Sequence, residues 1–162
     1  MKISDYGAAL RQNKQALAGA TAHLPHDQRC LLTAMAMLET NTMSIGERDA
    51  GKDHLTNGAA NVSIFNLNVD MVRRLGFTGS PGHLNRPEAL RAVVDLLTAA
   101  FKQWGTERTL AFVRGGYTAF QDGHSYGAKE YIATIYRIRD AVRADAALLT
   151  DGRRVEVYLQ HV

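Results

Sequence analysis

A single glutamate closes the most apolar stretch of the chain. Over residues 30–41, Cys-Leu-Leu-Thr-Ala-Met-Ala-Met-Leu-Glu-Thr-Asn, Leu31, Ala34, Met35 and Leu38 recur at helical spacing, and Leu32, Ala36 and Met37 fill much of the remaining circumference. The spacing predicts a central core helix that carries Glu39 in its last turn. There the helix macrodipole places partial negative charge and apolar neighbours disfavour an ionised carboxylate, so both are expected to raise the proton affinity of Glu39. A carboxyl group tuned in this way can act as a general acid. The competing reading is a glutamate that turns outward to water at a helix end, as most do.

The residues after Glu39 lose all apolar periodicity. Gly46, Gly51, Asn57 and Gly58 punctuate a polar segment over 42–60 that holds Glu47, Asp49, Asp53 and His54. A loop of this length inside a compact domain is uncommon unless it serves a site or carries a hairpin, which makes it a candidate wall of a cleft. In residues 61–68, Asn-Val-Ser-Ile-Phe-Asn-Leu-Asn, polar and apolar residues alternate, so that Asn61, Ser63, Asn66 and Asn68 are candidates for a polar surface beside an apolar one. His54 beside Asp53 has no partners at metal-ligand spacing, so no metal is assigned. Neither a nucleophile elbow nor a phosphate-binding glycine loop occurs, and no cofactor is expected.

The elements that would position these residues are mainly helical. Ser4 and Asp5 have the chemistry to cap a first helix with apolar positions Ala9, Leu10, Leu17 and Ala20, and Pro25 opens the central one. Asn68 and Asp70 start a short helix that stops at Gly76. Asn85 and Glu88 form a capping-box-like pair with Pro87 between them, ahead of the stripe Leu90, Val93, Val94, Leu97, Phe101 and Trp104. Thr106 caps a further helix closed by Gly115 and Gly116, and a last long helix carries Tyr131, Ile135, Ile138 and Val142 on one face. After the Asp151-Gly152 turn, Val155, Val157 and Leu159 alternate as in one short strand. No repeat, low-complexity tract or linker interrupts residues 1–162, which read as a single domain.

Composition narrows the function classes. The chain has 162 residues, 46% hydrophobic and 22% charged, as in an ordinary soluble domain able to bury its own core. No apolar run has membrane-spanning length and no signal peptide is expected from the start, so no membrane partner is assigned. The single cysteine, Cys30, excludes an internal disulfide and reads as a small core residue, consistent with synthesis in a reducing cytoplasm. A net charge of +3 favours an anionic polymer, but the basic residues are scattered, and nucleic acid is not assigned as a partner.

Three blocks in order carry a resemblance. Glu39-Thr40-Asn41 ends an apolar helix; Ser63-Ile64-Phe65-Asn66-Leu67 runs into a helix ending Leu75-Gly76; and the helix over 90–104 precedes Leu110-Ala111-Phe112-Val113-Arg114-Gly115, with Tyr131 on the final helix. Together, over about residues 28–139, they resemble the lysozyme-like superfamily, and in particular the catalytic domains of soluble lytic transglycosylases. In that family a catalytic Glu followed by a small hydroxyl residue ends a helix, a Gly-Leu-Met-Gln-Leu block follows, and an Ala-Ala-Tyr-Asn-Ala-Gly block comes third. The resemblance implies a mainly α, lysozyme-like single domain with a central buried helix and a small loop or hairpin region. It puts Glu39 in the place of the catalytic acid and Asn66 in that of the family's Gln. Phe112 and Val113 stand where the family has Tyr and Asn, and the loop between Glu39 and Ser63 is longer than in typical transglycosylases.

The chemistry implied is cleavage of a β-1,4 glycosidic bond, which needs a proton on the departing oxygen and stabilisation of an oxocarbenium-like centre. For a hydrolase, the second carboxylate would be Asp49 or Asp53, with Thr56 or Ser63 holding a water; for a transglycosylase, Glu39 alone serves as acid and then base while the substrate's N-acetyl group participates. Ser63 and Asn66 are candidate hydrogen-bonding partners for the sugar, and Phe112, Tyr117 and Tyr131 candidate stacking rings, against a core-packing role for each. The expected partner is peptidoglycan or a related β-1,4-linked amino-sugar polymer, reached after release or delivery as a phage or effector lysin. The alternatives are a non-catalytic lysozyme-like module that binds glycan or builds a virion or secretion apparatus, and a chitin or chitosan hydrolase.

Overall fold

A computed structural model describes residues 2–47, 60–122 and 127–156, and over them the protein is mainly helical, with four short strands. Its contacts divide the chain into two compact units, the first comprising described residues 2–47 and 133–156 and the second 60–122 and 127–132.

In the first unit, strand β1 (Lys2–Asp5) pairs antiparallel with β4 (Arg153–Glu156), placing Ser4 opposite Arg154. Ser4 and Asp5 therefore do not cap the first helix; Asp5 Oδ1 accepts a hydrogen bond from Gly7 N at 2.8 Å, and α1 (Ala8–Ala20) begins only after Gly7, at φ 79°. Strand pairing over the length of the chain has displaced a local capping preference. Gly152 lies so close to the same corner that a Cβ there would stand 2.6 Å from the Gly7 carbonyl oxygen, while its own carbonyl accepts from Tyr6 N at 2.7 Å. Helix α2 (His26–Glu39) packs on α1 and on a 3-10 turn over Ala146–Leu149. Every residue of α2 from Cys30 to Met37 is buried, as an apolar helix without a polar face requires.

In the second unit, β2 (Asn61–Val62) and β3 (Leu67–Asn68) form a small antiparallel hairpin that leads into α3 (Val69–Arg74). Asn68 caps α3, accepting from Met71 N at 2.8 Å. At the other end Gly76, at φ 97°, donates to Arg73 O, and Phe77 N donates to Val72 O at 3.1 Å, closing a Schellman motif. Helix α4 (Leu90–Trp104) buries Val93, Val94, Leu97, Ala100 and Phe101, and packs against α5 (Thr106–Asp122), which is broken at Gly116 with φ 75°. The expected capping box ahead of α4 does not form. Pro87–Ala89 is a 3-10 turn, and the Asn85 side chain is bonded to Ser63 instead.

Helix α6 (Ala128–Ala144) spans the boundary between the units, with residues 128–132 counted in the second. Its stripe of Tyr131, Ile135, Ile138 and Val142 is buried. Among the described residues no helix is long and apolar enough to cross a membrane.

Candidate functional site

Glu39 is the last residue of α2 and is half-buried. The helix stops because Thr40 turns to an extended conformation, φ −145° and ψ 162°, which leaves the final carbonyls without helical donors. A side chain from the far end of the sequence supplies them. The guanidinium of Arg154, on β4, donates through Nη1 to the carbonyls of Met37 and Thr40 and approaches that of Asn41 at 3.5 Å. Arg154 is itself only 6% exposed, with Glu156 Oε2 at 3.8 Å from its Nε. The next strand residue binds the same turn, since Val155 N donates to Met37 Sδ at 3.3 Å.

The segment after Glu39 is tied down from several directions. Thr40 Oγ1 accepts from Ser44 N at 3.0 Å, Asn13 Nδ2 donates to Thr42 O at 2.7 Å, and Glu47 accepts from both Thr42 N and Thr42 Oγ1. Met43 is buried in the left-handed region at φ 58°. For a non-glycine side chain that conformation persists only where its surroundings over-determine it. Glu39 thus sits on a rigid corner, the setting that a reacting group needs. Asp49, Asp53 and Thr56 lie outside the described residues.

A second buried cation underlies the same unit. Lys14, fully buried on α1, donates to the Arg153 carbonyl and lies 3.6 Å from Asp151 Oδ1. Burial pushes the Lys14 ammonium down to about 8, against the pull of Asp151. For Asp151 burial acts upward, but hydrogen bonds from Arg153 and the Lys14 charge outweigh it and hold the carboxyl below its ordinary value. Neither Lys14 nor Arg154 was marked by sequence pattern, because a lysine or arginine is expected at the surface. The alternation of Val155, Val157 and Leu159 predicts a strand after Gly152; Val155 lies in β4 beside Arg154, and Val157 and Leu159 lie outside the described residues.

The hairpin of the second unit holds two of the expected sugar contacts, and they differ. Ser63 is 1% exposed, at φ 71°, with its Oγ accepting from Phe65 N at 3.2 Å and its N donating to Asn85 Oδ1 at 2.7 Å. Its polar groups build the turn. Asn66, at φ 56°, closes that turn through its N to Ser63 O at 3.1 Å, but its Oδ1 is buried and accepts no hydrogen bond among the described residues. Leaving such an acceptor unmet costs about 1–3 kcal/mol. Asn68 is occupied as the α3 cap and donates through Nδ2 to Phe112 O at 2.9 Å.

The aromatic candidates also separate. Tyr131 is 2% exposed and Phe112 is fully buried, so both rings pack in the interior instead of offering a face to solvent. Phe112 stacks on Trp104 with centroids 5.6 Å apart and contacts Phe120 at 5.3 Å. Tyr117 is exposed; it stacks on Phe120 at 5.6 Å, and the Arg74 guanidinium lies 3.8 Å from its ring centroid. Of the three rings it alone could meet a saccharide. Among the described residues no cluster of His, Cys, Asp and Glu is placed to hold a metal.

What the described fold defines is a mainly helical protein. No known protein family matches the chain, and no curated protein matches it in sequence.

Proposed function

We propose that the protein cleaves β-1,4 glycosidic bonds in the glycan strands of peptidoglycan, with Glu39 as general acid and then base. The observation that carries this reading is the setting of Glu39: a half-buried carboxyl at the end of a buried helix, on a corner held by Arg154, Asn13 and Glu47. Proton transfer to a departing oxygen depends on geometry first, and a fixed corner supplies it.

A second reading, a glycan-binding module without catalysis, is favoured by one observation. Phe112, aligned with the family's tyrosine, is fully buried and has no hydroxyl to contribute. Purified sacculi separate the two readings. The catalytic reading expects clearing of turbidity and soluble fragments, with free reducing ends from a hydrolase that uses Asp49 or Asp53 and anhydro ends from a transglycosylase. Retention of the protein on sacculi with no fragment released supports the binding module, and fragments from chitin or chitosan alone redirect the substrate.

A further inference from the structure

We infer that Arg154 is a positioning residue for Glu39, an assignment that rests on the acid/base reading of Glu39. The two carbonyls that receive its Nη1 belong to Met37 and Thr40, two residues before the carboxylate and one after it. A guanidinium bonded on both sides of a residue fixes where its Cα–Cβ bond points, because neither the last helical turn nor the extended residue after it can rotate without breaking a charge-assisted bond. Arg154 is anchored in turn by its strand, where it stands opposite Ser4, and by Glu156.

The alternative, that Arg154 merely closes a helix, accounts less well for the choice of residue. Helices commonly end on a glycine in the left-handed conformation, which satisfies the terminal carbonyls through the backbone at no cost in buried charge. Here Thr40 is extended and an arginine 6% exposed does the work instead. Taking a guanidinium out of water is costly unless its partners are well placed. One guanidinium nitrogen, Nη1, carries two N–H donors fixed in the guanidinium plane, one for each of the Met37 and Thr40 carbonyls, whereas an ammonium would direct its donors tetrahedrally. Its positive charge also has the sign that offsets the partial negative charge at the helix C-terminus.

The test compares Arg154→Lys and Arg154→Gln, each alone and combined with Glu39→Gln, measuring kcat and KM on soluble glycan fragments and scaling activity to the folded fraction from circular dichroism. If Arg154 acts through Glu39, Arg154→Lys lowers kcat per folded molecule by about 10- to 100-fold with KM little changed, the scale of a misplaced reacting group. Arg154→Gln, which cannot bracket both carbonyls, is at least as low. In the Glu39→Gln background neither substitution reduces the residual rate further. Full kcat per folded molecule in both single variants overturns the inference, as does an equal fold-loss with and without Glu39, which marks a merely structural arginine. Full activity of Glu39→Gln alone refutes the reading of Glu39 itself, and the positioning role with it.

Discussion

Asn85 Oδ1 accepts a hydrogen bond from Ser63 N at 2.7 Å, joining a 3-10 turn over Pro81–Asn85 to the hairpin turn that precedes α3. Ser63 is buried and in a left-handed conformation, so its N–H is a donor that must be satisfied inside the protein. Asn85→Ala leaves that donor orphaned and is expected to cost about 1–3 kcal/mol in urea denaturation. A loss below about 0.5 kcal/mol, the range of an ordinary surface change, would show that the turn does not depend on Asn85.

Asn66 offers the complementary case. Glycine adopts φ 56° without strain, and Asn66→Gly also removes the unmet acceptor, so stability should hold or rise by about 1 kcal/mol. If Asn66 takes the place of the family's Gln, as the resemblance implies, glycan cleavage falls nonetheless. Unchanged kcat/KM in the glycine variant would take Asn66 out of substrate recognition.

At Phe112 the relation to the resembled family can be tested. Phe112→Tyr introduces the hydroxyl that the resemblance to lytic transglycosylases would place there, but the ring here is fully buried against Trp104 and Phe120. Burying a hydroxyl without a partner is expected to destabilise by about 1–3 kcal/mol with no gain in activity. A gain in cleavage at undiminished Tm would place position 112 within reach of substrate.

Lys14 sets a pH dependence of stability. Its pKa is about 8 in the folded protein and 10.5 when unperturbed, so between these values the unfolded chain binds more protons and the contribution of this group to stability rises with pH. Relative to Lys14→Met, the wild type should gain up to about 3 kcal/mol between pH ~7 and pH ~10.5 in parallel urea titrations. Asp151 acts at the other end. Its lowered pKa contributes stability above the unfolded value near 3.8 that is lost as pH falls through the lower folded value. A wild-type minus variant difference that stays flat across the alkaline window contradicts the assignment for Lys14.

Much of the helical frame was legible because its cause is local. The 3.6-residue periodicity of α4 and α6 reports the buried face directly, the unbroken apolar run of α2 reports a helix buried all round, and Gly76, Gly105 and Gly116 mark helix interruptions through positive φ. The expectations that failed concern side chains whose partners are distant in sequence. Ser4 and Asp5 carry capping chemistry, yet residues 153–156 recruit them into a strand; Asn85 has a local capping pattern, yet its oxygen goes to Ser63. Lys14 and Arg154 were invisible for the same reason, since a buried cation is recognisable only once the carbonyls that receive it are known. At the candidate site the identity of Glu39 as a helix-ending carboxylate was readable, whereas the arginine that holds its corner was not.

The central claim is that Glu39 carries the proton, and the most direct measurement is the rate of fragment release from purified sacculi by Glu39→Gln, with its Tm recorded in the same buffer. The amide keeps the volume and the half-buried setting but has no acidic proton to transfer, so the account predicts a Tm close to wild type and a rate lower by about 10²–10⁴-fold. Fragment release within about twofold of wild type from a fully folded Glu39→Gln protein would contradict it.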